Sequence, residues 1–311
     1  MSQKIAFLFP GQGSQFTGMG KALYDANEKA RALFEEADAI LGRYLSKMCF
    51  EGPEDVLKDT ANTQPALFTC SAAAVEVLRE RGIEPACSAG HSLGEYSALY
   101  AAGVVDFATG LKLVATRGAA MAEAAHNTPG AMAAVMGLDI EKLDAICIQA
   151  SDNVCKAGVA NDNSPGQIVI SGHAAAIEKA CELAKAAGAK RAMLLPVSGG
   201  FHSPLVFSAR EIMEKELASV TLNAPQCAFV PNFTAKPEAD PAKIQEYLLE
   251  QITGRVRWVE SVQAIAALGM TVALEVGPGK VLAGLVKRIA PALPIHAAGT
   301  PEEIEAALAT L

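Results

Sequence analysis

The residue best suited to chemistry is a serine inside a glycine-rich turn. Ser92 is the centre of Gly-His-Ser-Leu-Gly at residues 90–94, which lies between an apolar strand-like run and a helix-like run. This order is typical of a nucleophile elbow, in which the glycines permit a sharp bend that presents the serine hydroxyl at the carboxyl edge of a sheet. The N–H of Leu93 would then point at the oxyanion formed when Ser92 attacks a carbonyl. The pattern predicts acyl chemistry through Ser92.

A serine hydroxyl needs a base before it can attack. His91 is adjacent to Ser92, but an elbow points consecutive side chains in different directions, so His91 is a poor candidate for this base. His202 lies in the Gly-rich loop 199–204, which could bring its imidazole over the elbow. Spacing alone leaves two alternatives for His202, a catalytic base or a solvated loop histidine.

Two further features could act on a substrate. The turn Gly-Gln-Gly at residues 11–13 fits neither the dinucleotide nor the P-loop pattern, but it exposes backbone amides at the carboxyl end of a strand and could supply a second oxyanion donor. Arg117 stands on a helix with few other charges. If it is buried, a carboxylate partner is the natural inference, whereas an exposed Arg117 would only extend to water.

Composition excludes several function classes. The 311 residues carry a net charge of −8, which argues against nucleic acid as a partner. No run reaches the ~18 apolar residues of a membrane span, and the first residues resemble a buried strand rather than a signal peptide. The seven cysteines contain no CxxC pair, and the five histidines show no metal-binding spacing. We expect a cytoplasmic protein with reduced thiols and no metal.

The elements that must position these residues alternate between short apolar strands and helices. Strands are expected at residues 5–9, 86–90 and 271–276, followed by helices that begin near Phe16, at Leu93 and near Lys280. This alternation predicts a parallel sheet covered by helices on both faces.

The middle of the chain has a different order, strand–helix–strand–strand–helix–strand. The expected strands are 131–137, 154–161, 167–171 and 191–197, with helices at 140–150 and 174–187 and a turn at 162–166. This βαββαβ order is typical of a small ferredoxin-like domain. The sequence therefore predicts an α/β protein with a hydrolase-like sheet at 1–127 and 199–311, and an inserted ferredoxin-like domain at 128–198, bounded by turn-rich hinges.

Taken together, these motifs resemble the malonyl-CoA:acyl carrier protein transacylases of type II fatty acid synthesis. The resemblance runs along the whole chain. The matching segments are FPGQGSQ at 9–15, GHSLGEY at 90–96, TRG at 116–118, NDNSPGQ at 161–167, FHSP at 201–204, VRW at 256–258 and EVGPG at 275–279.

The resemblance implies a role for each matching residue. Ser92 would be the nucleophile and His202 the base, oriented by a main-chain carbonyl at Gln251 in place of a triad acid. The amides of Gln12 and Leu93 would form the oxyanion hole. Arg117 would pair with the malonyl carboxylate. The other substrate-binding residues would be Phe201, His91 and Asn161.

The implied reaction needs no cofactor other than malonyl-CoA as a substrate, and the implied partner is acyl carrier protein. Because such carriers are acidic, Lys190-Arg191 and Lys287-Arg288 are candidates for a docking rim. Two departures from the common family pattern flank the pocket. Gly199-Gly200 stands where bulkier residues are frequent, and Val206 stands where methionine is frequent, so acyl breadth is less defined than the reaction.

Two other functions remain open at this level. A serine esterase or thioesterase of the α/β-hydrolase type would share the elbow but would place an acid between Ser92 and His202 in sequence. The aspartates in that interval are Asp106, Asp139, Asp144, Asp152 and Asp162. A non-catalytic module that docks carrier proteins would keep the fold without forming an acyl-enzyme.

Overall fold

The computed structural model describes residues 3–197 and 199–311. Nine strands occur among these residues: β1 Ile5–Phe9, β2 Cys87–Gly90, β3 Ala131–Met136, β4 Ala157–Ser164, β5 Gln167–Gly172, β6 Arg191–Leu194, β7 Ala228–Phe229, β8 Val272–Val276 and β9 Ile295–Ala298. The first seven helices are α1 Lys21–Ala26, α2 Glu28–Leu41, α3 Leu45–Glu51, α4 Glu54–Lys58, α5 Thr60–Glu80, α6 Gly94–Ala101 and α7 Phe107–Asn127. The remaining helices are α8 Ile140–Ala150, α9 Ala174–Ala186, α10 Phe207–Ala218, α11 Pro241–Thr253, α12 Trp258–Ala267, α13 Val281–Ile289 and α14 Pro301–Leu308, with a 3-10 turn at Pro204–Val206.

A five-stranded parallel sheet with the order β7-β2-β1-β8-β9 forms the centre of the large unit. Strands β1 and β8 are fully buried, as expected for a sheet covered on both faces. Phe9 at the end of β1 pairs with Gly90 at the end of β2. This register brings the turn after β1 and the elbow after β2 to the same carboxyl edge of the sheet.

Helices α5 and α7 pack against each other beside this sheet. Each is 21 residues long and rich in alanine, and small side chains let the two axes approach closely. At Gly118 of α7 an added Cβ would lie 2.8 Å from the Thr60 carbonyl oxygen of α5. The contact places Arg117 of α7 beside Gln64 of α5.

The predicted βαββαβ order is confirmed. Strands β3 to β6 form a separate antiparallel sheet with the order β4-β5-β3-β6, and α8 and α9 share an apolar core with it. This is the ferredoxin-like arrangement. The strands of the antiparallel sheet lie within the predicted inserted domain, and those of the parallel sheet lie outside it. The domain boundaries themselves remain a prediction. The ends of those domains at residues 1 and 198, and the first residue of the hinge 198–200, lie outside the described residues.

Four predicted element boundaries are wrong. Strand β4 begins at Ala157 rather than at residue 154, and β6 ends at Leu194 rather than at residue 197. The first helix begins at Lys21 rather than near Phe16, because Gly18 and Gly20 have φ values of 102° and 77°, which a right-handed helix cannot contain. Strand β4 continues to Ser164, so the predicted turn 162–166 is reduced to its last two residues. Its polar residues stay extended because Asp162 donates its N–H to the Val256 carbonyl, and Val256 donates to the Ala160 carbonyl.

No helix among the described residues is long and apolar enough to cross a membrane. Within the same residues, no group of three or more His, Cys, Asp and Glu side chains is arranged to hold a metal ion.

Candidate active site

Ser92 stands at the bend between β2 and α6 with a left-handed φ of 50°. Two glycines make this bend possible, since a Cβ at Gly90 would lie 1.9 Å from the Gly94 carbonyl oxygen, and one at Gly94 would lie 2.2 Å from the Phe9 oxygen. The Ser92 N–H donates to Oδ1 of Asn232 at 2.7 Å. The elbow expected from the sequence is therefore present, and the side chain of Asn232 fixes its backbone through this hydrogen bond.

His202 reaches the elbow from its loop. Its Nε2 lies 2.7 Å from Ser92 Oγ, and its Nδ1 lies 2.9 Å from the Gln251 carbonyl oxygen. Because a carbonyl only accepts, Nδ1 carries the proton and Nε2 is left free to accept the proton of Ser92. Burial, together with the nearby Arg117 charge, lowers the pKa of His202 to about 3, so its imidazole is neutral at physiological pH.

The His202 loop fits closely against α7. A Cβ at Gly199 would lie 2.4 Å from the Cβ of Ala125, so the departure from bulkier residues at this position lets the loop approach the helix. Val206, the other departure, is buried in the 3-10 turn that follows the loop.

Arg117 is buried, with 1% of its surface exposed. It donates to Gln64 Oε1 at 2.7 Å, to Gln251 Oε1 at 2.8 Å and to Ser92 Oγ at 3.2 Å, and its guanidinium lies over the Tyr96 ring. Within the described part of the chain it forms no salt bridge, and its Nε has no hydrogen-bond partner. A buried cation with neutral partners and a free donor suits an incoming carboxylate.

Gln12 and Leu93 line the same cavity as Ser92. Neither backbone N–H donates a hydrogen bond to another described residue, so both remain available to an oxyanion. The Gln12 side chain is held by Thr60, with Nε2 and Oγ1 3.2 Å apart.

The cavity has a volume of about 200 Å³ and lies between the two sheets. The large unit supplies the polar groups around Ser92, whereas the ferredoxin-like unit supplies much of the apolar wall. The wall is formed by Met121, Met132, Val169, Leu195, Val197 and Phe201. A cavity of this size fits a small acyl group.

His91 and Asn161 also line this cavity. His91 does not contact Ser92 Oγ through its ring. Its Nε2 lies 2.7 Å from Asn163 Oδ1, its ring packs edge-on against Trp258, and burial lowers its pKa. The structure thus places His91 as a lining group rather than a base, in agreement with the geometry expected of an elbow.

The aspartates that a hydrolase triad would need are elsewhere. Three accept backbone N–H bonds near their own position: Asp106, Asp139 and Asp152. Asp144 pairs with Arg255, and the Asp162 backbone bonds to Val256. None of the five hydrogen-bonds to His202 among the described residues.

Sequence reasoning missed several polar residues around the site. Gln64, Asn232, Glu95 and Asn163 are buried or lie in the cavity wall, and each contacts a residue named above. Glu95 and Asn163 lie inside the matching segments 90–96 and 161–167, but the resemblance assigned them no role. Gln64 gave only the signal of a polar residue inside an apolar segment, and such a residue has no assigned role until its distant partner is known.

Comparisons with known proteins agree with this geometry. A family model described as an acyl transferase domain matches residues 6–298. The chain is 47% identical over 308 residues to the malonyl CoA-acyl carrier protein transacylase of Bacillus subtilis, covering 99% of this chain and 97% of that protein. It is 45% identical to the Escherichia coli K12 enzyme of the same name, with 98% and 99% covered.

Solved structures are equally similar. The acyl-carrier-protein-S-malonyltransferase of Bartonella henselae has a TM-score of 0.95 at 46% identity, with 99% of each chain covered. A malonyl-transacylase in complex with a type II PKS acyl-carrier protein has a TM-score of 0.95 at 40% identity, covering 99% of this chain and 100% of that one. With its Ser–His pair, buried arginine and full-length similarity, the chain belongs to the acyl transferase family, among the malonyl CoA-acyl carrier protein transacylases.

Proposed function

We propose that this protein transfers a malonyl group from malonyl-CoA to the phosphopantetheine thiol of acyl carrier protein, which supplies malonyl-acyl carrier protein for fatty acid synthesis. The observation that carries the proposal is Arg117, a buried cation without a salt-bridge partner in the described chain, 3.2 Å from the Ser92 hydroxyl. A donor that ends in a carboxylate would supply the missing negative charge. The names of the relatives support the same donor and acceptor.

The first half-reaction forms an acyl-enzyme. His202 Nε2 takes the proton of Ser92, whose Oγ attacks the thioester carbonyl carbon while Arg117 holds the distal carboxylate. The N–H groups of Gln12 and Leu93 stabilise the oxyanion, and each such donor contributes about 2.7–4 kcal/mol. The carbon–sulfur bond then breaks, and coenzyme A leaves as a thiol after receiving the proton from His202. The product is malonyl-Ser92.

The second half-reaction is the reverse with a new thiol. The phosphopantetheine thiol gives its proton to His202, its sulfur attacks the malonyl-Ser92 carbonyl, and Ser92 recovers its proton as the ester bond breaks. Among the described residues, His202 Nδ1 is hydrogen-bonded to the Gln251 carbonyl and to no carboxylate. An imidazole without a carboxylate partner is a weaker base, which favours a thiol acceptor over water and separates the proposal from an esterase.

The remaining parts of the proposal concern surroundings rather than chemistry. The reaction uses no metal or cofactor beyond the coenzyme A of the donor. A cytoplasmic location is supported by the seven cysteines, all of them within the described residues and unpaired. The acidic carrier would dock on exposed basic residues, for which Lys190-Arg191 and Lys287-Arg288 are the candidates.

The proposal is tested by incubating the protein with malonyl-CoA alone and measuring the mass of the Ser92 peptide. A malonyl adduct on Ser92, absent from Ser92→Ala, is the expected result, and adding a thiol acceptor should remove the adduct much faster than water does. An unmodified Ser92 peptide would contradict acyl transfer, and equal release to water and to thiol would instead support a thioesterase.

The role of Arg117 is tested by changing the charge of the donor. Arg117→Ala should lower kcat/KM for malonyl-CoA about 100-fold, as expected when a buried charge loses its partner, and should tolerate acetyl-CoA. Arg79→Ala, which removes a partly buried arginine of α5 outside the cavity, is the control. Equal losses with both donors would make Arg117 structural.

A further inference from the structure

Glu95 is a fully buried carboxylate that the proposed reaction does not use. It lies in the first turn of α6, three residues after Ser92, with 0% of its surface exposed. Its Oε2 accepts two hydrogen bonds, from the Asn232 N–H at 3.0 Å and from Gln251 Nε2 at 2.9 Å. Burial of a carboxylate is costly, so its retention beside a reactive serine needs an explanation.

Gln251, one of the two partners of Glu95, contacts His202, Arg117 and Ser92. The Gln251 carbonyl binds His202 Nδ1 at 2.9 Å, while its side-chain Oε1 accepts from Arg117 at 2.8 Å. The Gln251 Nε2 that donates to Glu95 also donates to the Ser92 carbonyl at 2.8 Å. The side-chain amide can present Oε1 to Arg117 only while its NH₂ end faces Glu95 and Ser92, so Glu95 fixes the direction in which this amide points.

Asn232, the other partner of Glu95, hydrogen-bonds to the backbone of the elbow. Asn232 Oδ1 accepts the N–H of Ser92 at 2.7 Å, and its Nδ2 donates to the Gly90 carbonyl at 2.6 Å. Ser92 has a left-handed φ of 50°, a conformation that costs about 1–3 kcal/mol and persists only when neighbours determine it. By accepting the Asn232 N–H, Glu95 anchors the backbone of the residue that keeps Ser92 in this conformation.

The Glu95 carboxyl group also lies close enough to Arg117 to be influenced by its charge. Burial raises the pKa of Glu95 to about 7, while the Arg117 charge opposes that rise. The two residues share no salt bridge within the described chain, and Glu95 Oε1 is buried without a hydrogen-bond partner. The Glu95 carboxyl group therefore makes no direct contact with Arg117 and leaves the guanidinium itself free for a substrate carboxylate.

We propose that Glu95 is a positioning residue that, through Gln251 and Asn232, fixes His202, Arg117 and Ser92 in one arrangement. The inference rests on the proposed acyl transfer. It concerns no contact between Glu95 and substrate, because Glu95 does not line the cavity. The essential property of Glu95 is an acceptor oxygen at its present position.

A matched control exists in the same molecule. Glu275 is also 0% exposed, and its two oxygens accept the N–H groups of Leu282 at 2.9 Å and Ala283 at 2.7 Å. It lies outside the cavity lining, and none of these bonds leads to Ser92 or His202. Glu275→Gln therefore reports what a change to a buried carboxyl group does to the fold alone.

The experiment compares Glu95→Ala, Glu95→Gln and Glu275→Gln in the full-length protein. The amount of malonyl-Ser92 formed per mole of protein counts the active sites, and kcat is expressed per active site. Glu95→Ala should lower this kcat about 100-fold, the loss expected for a misplacement of about 1 Å, with malonyl-CoA and acetyl-CoA affected alike. Glu95→Gln keeps an acceptor oxygen and should recover most of the activity, and Glu275→Gln should match the wild type.

A second readout follows the imidazole directly. Nitrogen NMR of His202 should show a proton fixed on Nδ1 in the wild type and in Glu95→Gln, and a mixture of tautomers in Glu95→Ala. If Glu95→Ala does not fold, Glu95→Asp, which withdraws the acceptor by one methylene, replaces it and should give the same loss.

The outcomes separate the two hypotheses. Wild-type protein that forms no malonyl-Ser92 would overturn the proposed function. If the wild type forms malonyl-Ser92 and Glu95→Ala or Glu95→Asp has a normal kcat per active site, only the positioning role is overturned. A Glu95→Gln variant as impaired as Glu95→Ala would also overturn the positioning role, because glutamine retains the acceptor oxygen that this role requires.

Discussion

His202 Nε2 lies against the Ser92 hydroxyl, and among the described residues no acidic side chain hydrogen-bonds to its Nδ1. The Gln251 carbonyl fixes its tautomer, and the neighbouring Arg117 charge disfavours the imidazolium. A base that is easily deprotonated returns its proton readily to the departing thiol, which suits a reaction that must run in both directions between two thioesters. Arg117, the proposed ligand of the substrate carboxylate, therefore also limits the basicity of His202.

This arrangement predicts how His202 titrates. In the wild type its nitrogen NMR signals should remain those of neutral imidazole well below pH 6.5, because burial and Arg117 lower its pKa to about 3. Arg117→Ala removes a nearby positive charge, so protonation becomes easier and the pKa of His202 should rise toward 6.5. Arg117→Lys keeps the charge and should leave the pKa low. Identical titrations in wild type and Arg117→Ala would contradict the electrostatic coupling.

The elbow depends on the contact between β1, β2 and α6. Gly90 and Gly94 stand where the chain crosses over itself, and the Phe9 carbonyl fills the place that a side chain at Gly94 would need. The reactive hydroxyl is therefore presented by backbone packing, and the serine is held in its left-handed conformation by its neighbours rather than by preference.

Substitution of Gly94 tests this packing. Gly94→Ala should lower the free energy of unfolding by about 3 kcal/mol, the upper end of the usual cost of overpacking, because its Cβ would lie 2.2 Å from a backbone oxygen that cannot move alone. The control is Gly284→Ala on the exposed face of α13, where an added Cβ meets nothing and helix propensity should add about 0.5–1 kcal/mol. Denaturant unfolding measures both, and a Gly94→Ala protein as stable as wild type would refute the steric argument.

The N-terminus of α13 is closed by a side chain from β8. Glu275 accepts the N–H groups of Leu282 and Ala283, yet burial outweighs these bonds and raises its pKa to about 7 from an ordinary 4.5. Between these two pH values the folded protein binds a proton that the unfolded chain has lost. The contribution of Glu275 to stability therefore falls as the pH rises.

Glu275→Gln should reveal this dependence. The difference in free energy of unfolding between wild type and Glu275→Gln should change in favour of the variant as the pH rises from about 4.5 to about 7, because glutamine does not titrate. Urea unfolding at several pH values gives the difference directly. A difference that stays constant over this interval would show that Glu275 keeps an ordinary pKa.

At the scale of the whole molecule, the cavity exists because the ferredoxin-like unit lies over the edge of the large sheet. The Asn161–Val256 bridge joins β4 to the segment just after α11, and Arg255 reaches both Asp144 and the Val159 carbonyl. Gln251, whose carbonyl orients His202, lies at the end of the same helix. The attachment of the small unit and the orientation of the base therefore share one stretch of chain.

Two neighbouring arginines allow this attachment to be tested. Arg255→Ala should cost about 1 kcal/mol, as for a half-exposed ion pair with one further bond, and should speed hydrogen exchange in β4 more than in β1. Arg257→Ala removes a comparable pair with Glu260 that does not reach the small unit, and should leave exchange in β4 unchanged. Equal exchange in the two variants would mean that Arg255 does not join the units.

Local sequence determined the features that depend on neighbouring residues. The strand–turn–helix frame of Ser92, the parallel sheet and the βαββαβ order all follow from backbone conformation and periodicity within short segments, and each appears in the structure. Two of the wrong boundaries lie where a short-range rule was overruled, by left-handed glycines before α1 and by the Val256 bridge at the end of β4.

Only the tertiary structure decided which side chains meet. Spacing left His202 and Arg117 undecided between functional and solvated positions, and it gave no role to Gln64, Asn232 or Glu95. These residues come together through contacts across 53 to 156 positions of the chain. Such contacts arise from the packing of whole helices and strands, and the hydrogen bonds that a buried polar group must make are defined only when that packing is complete.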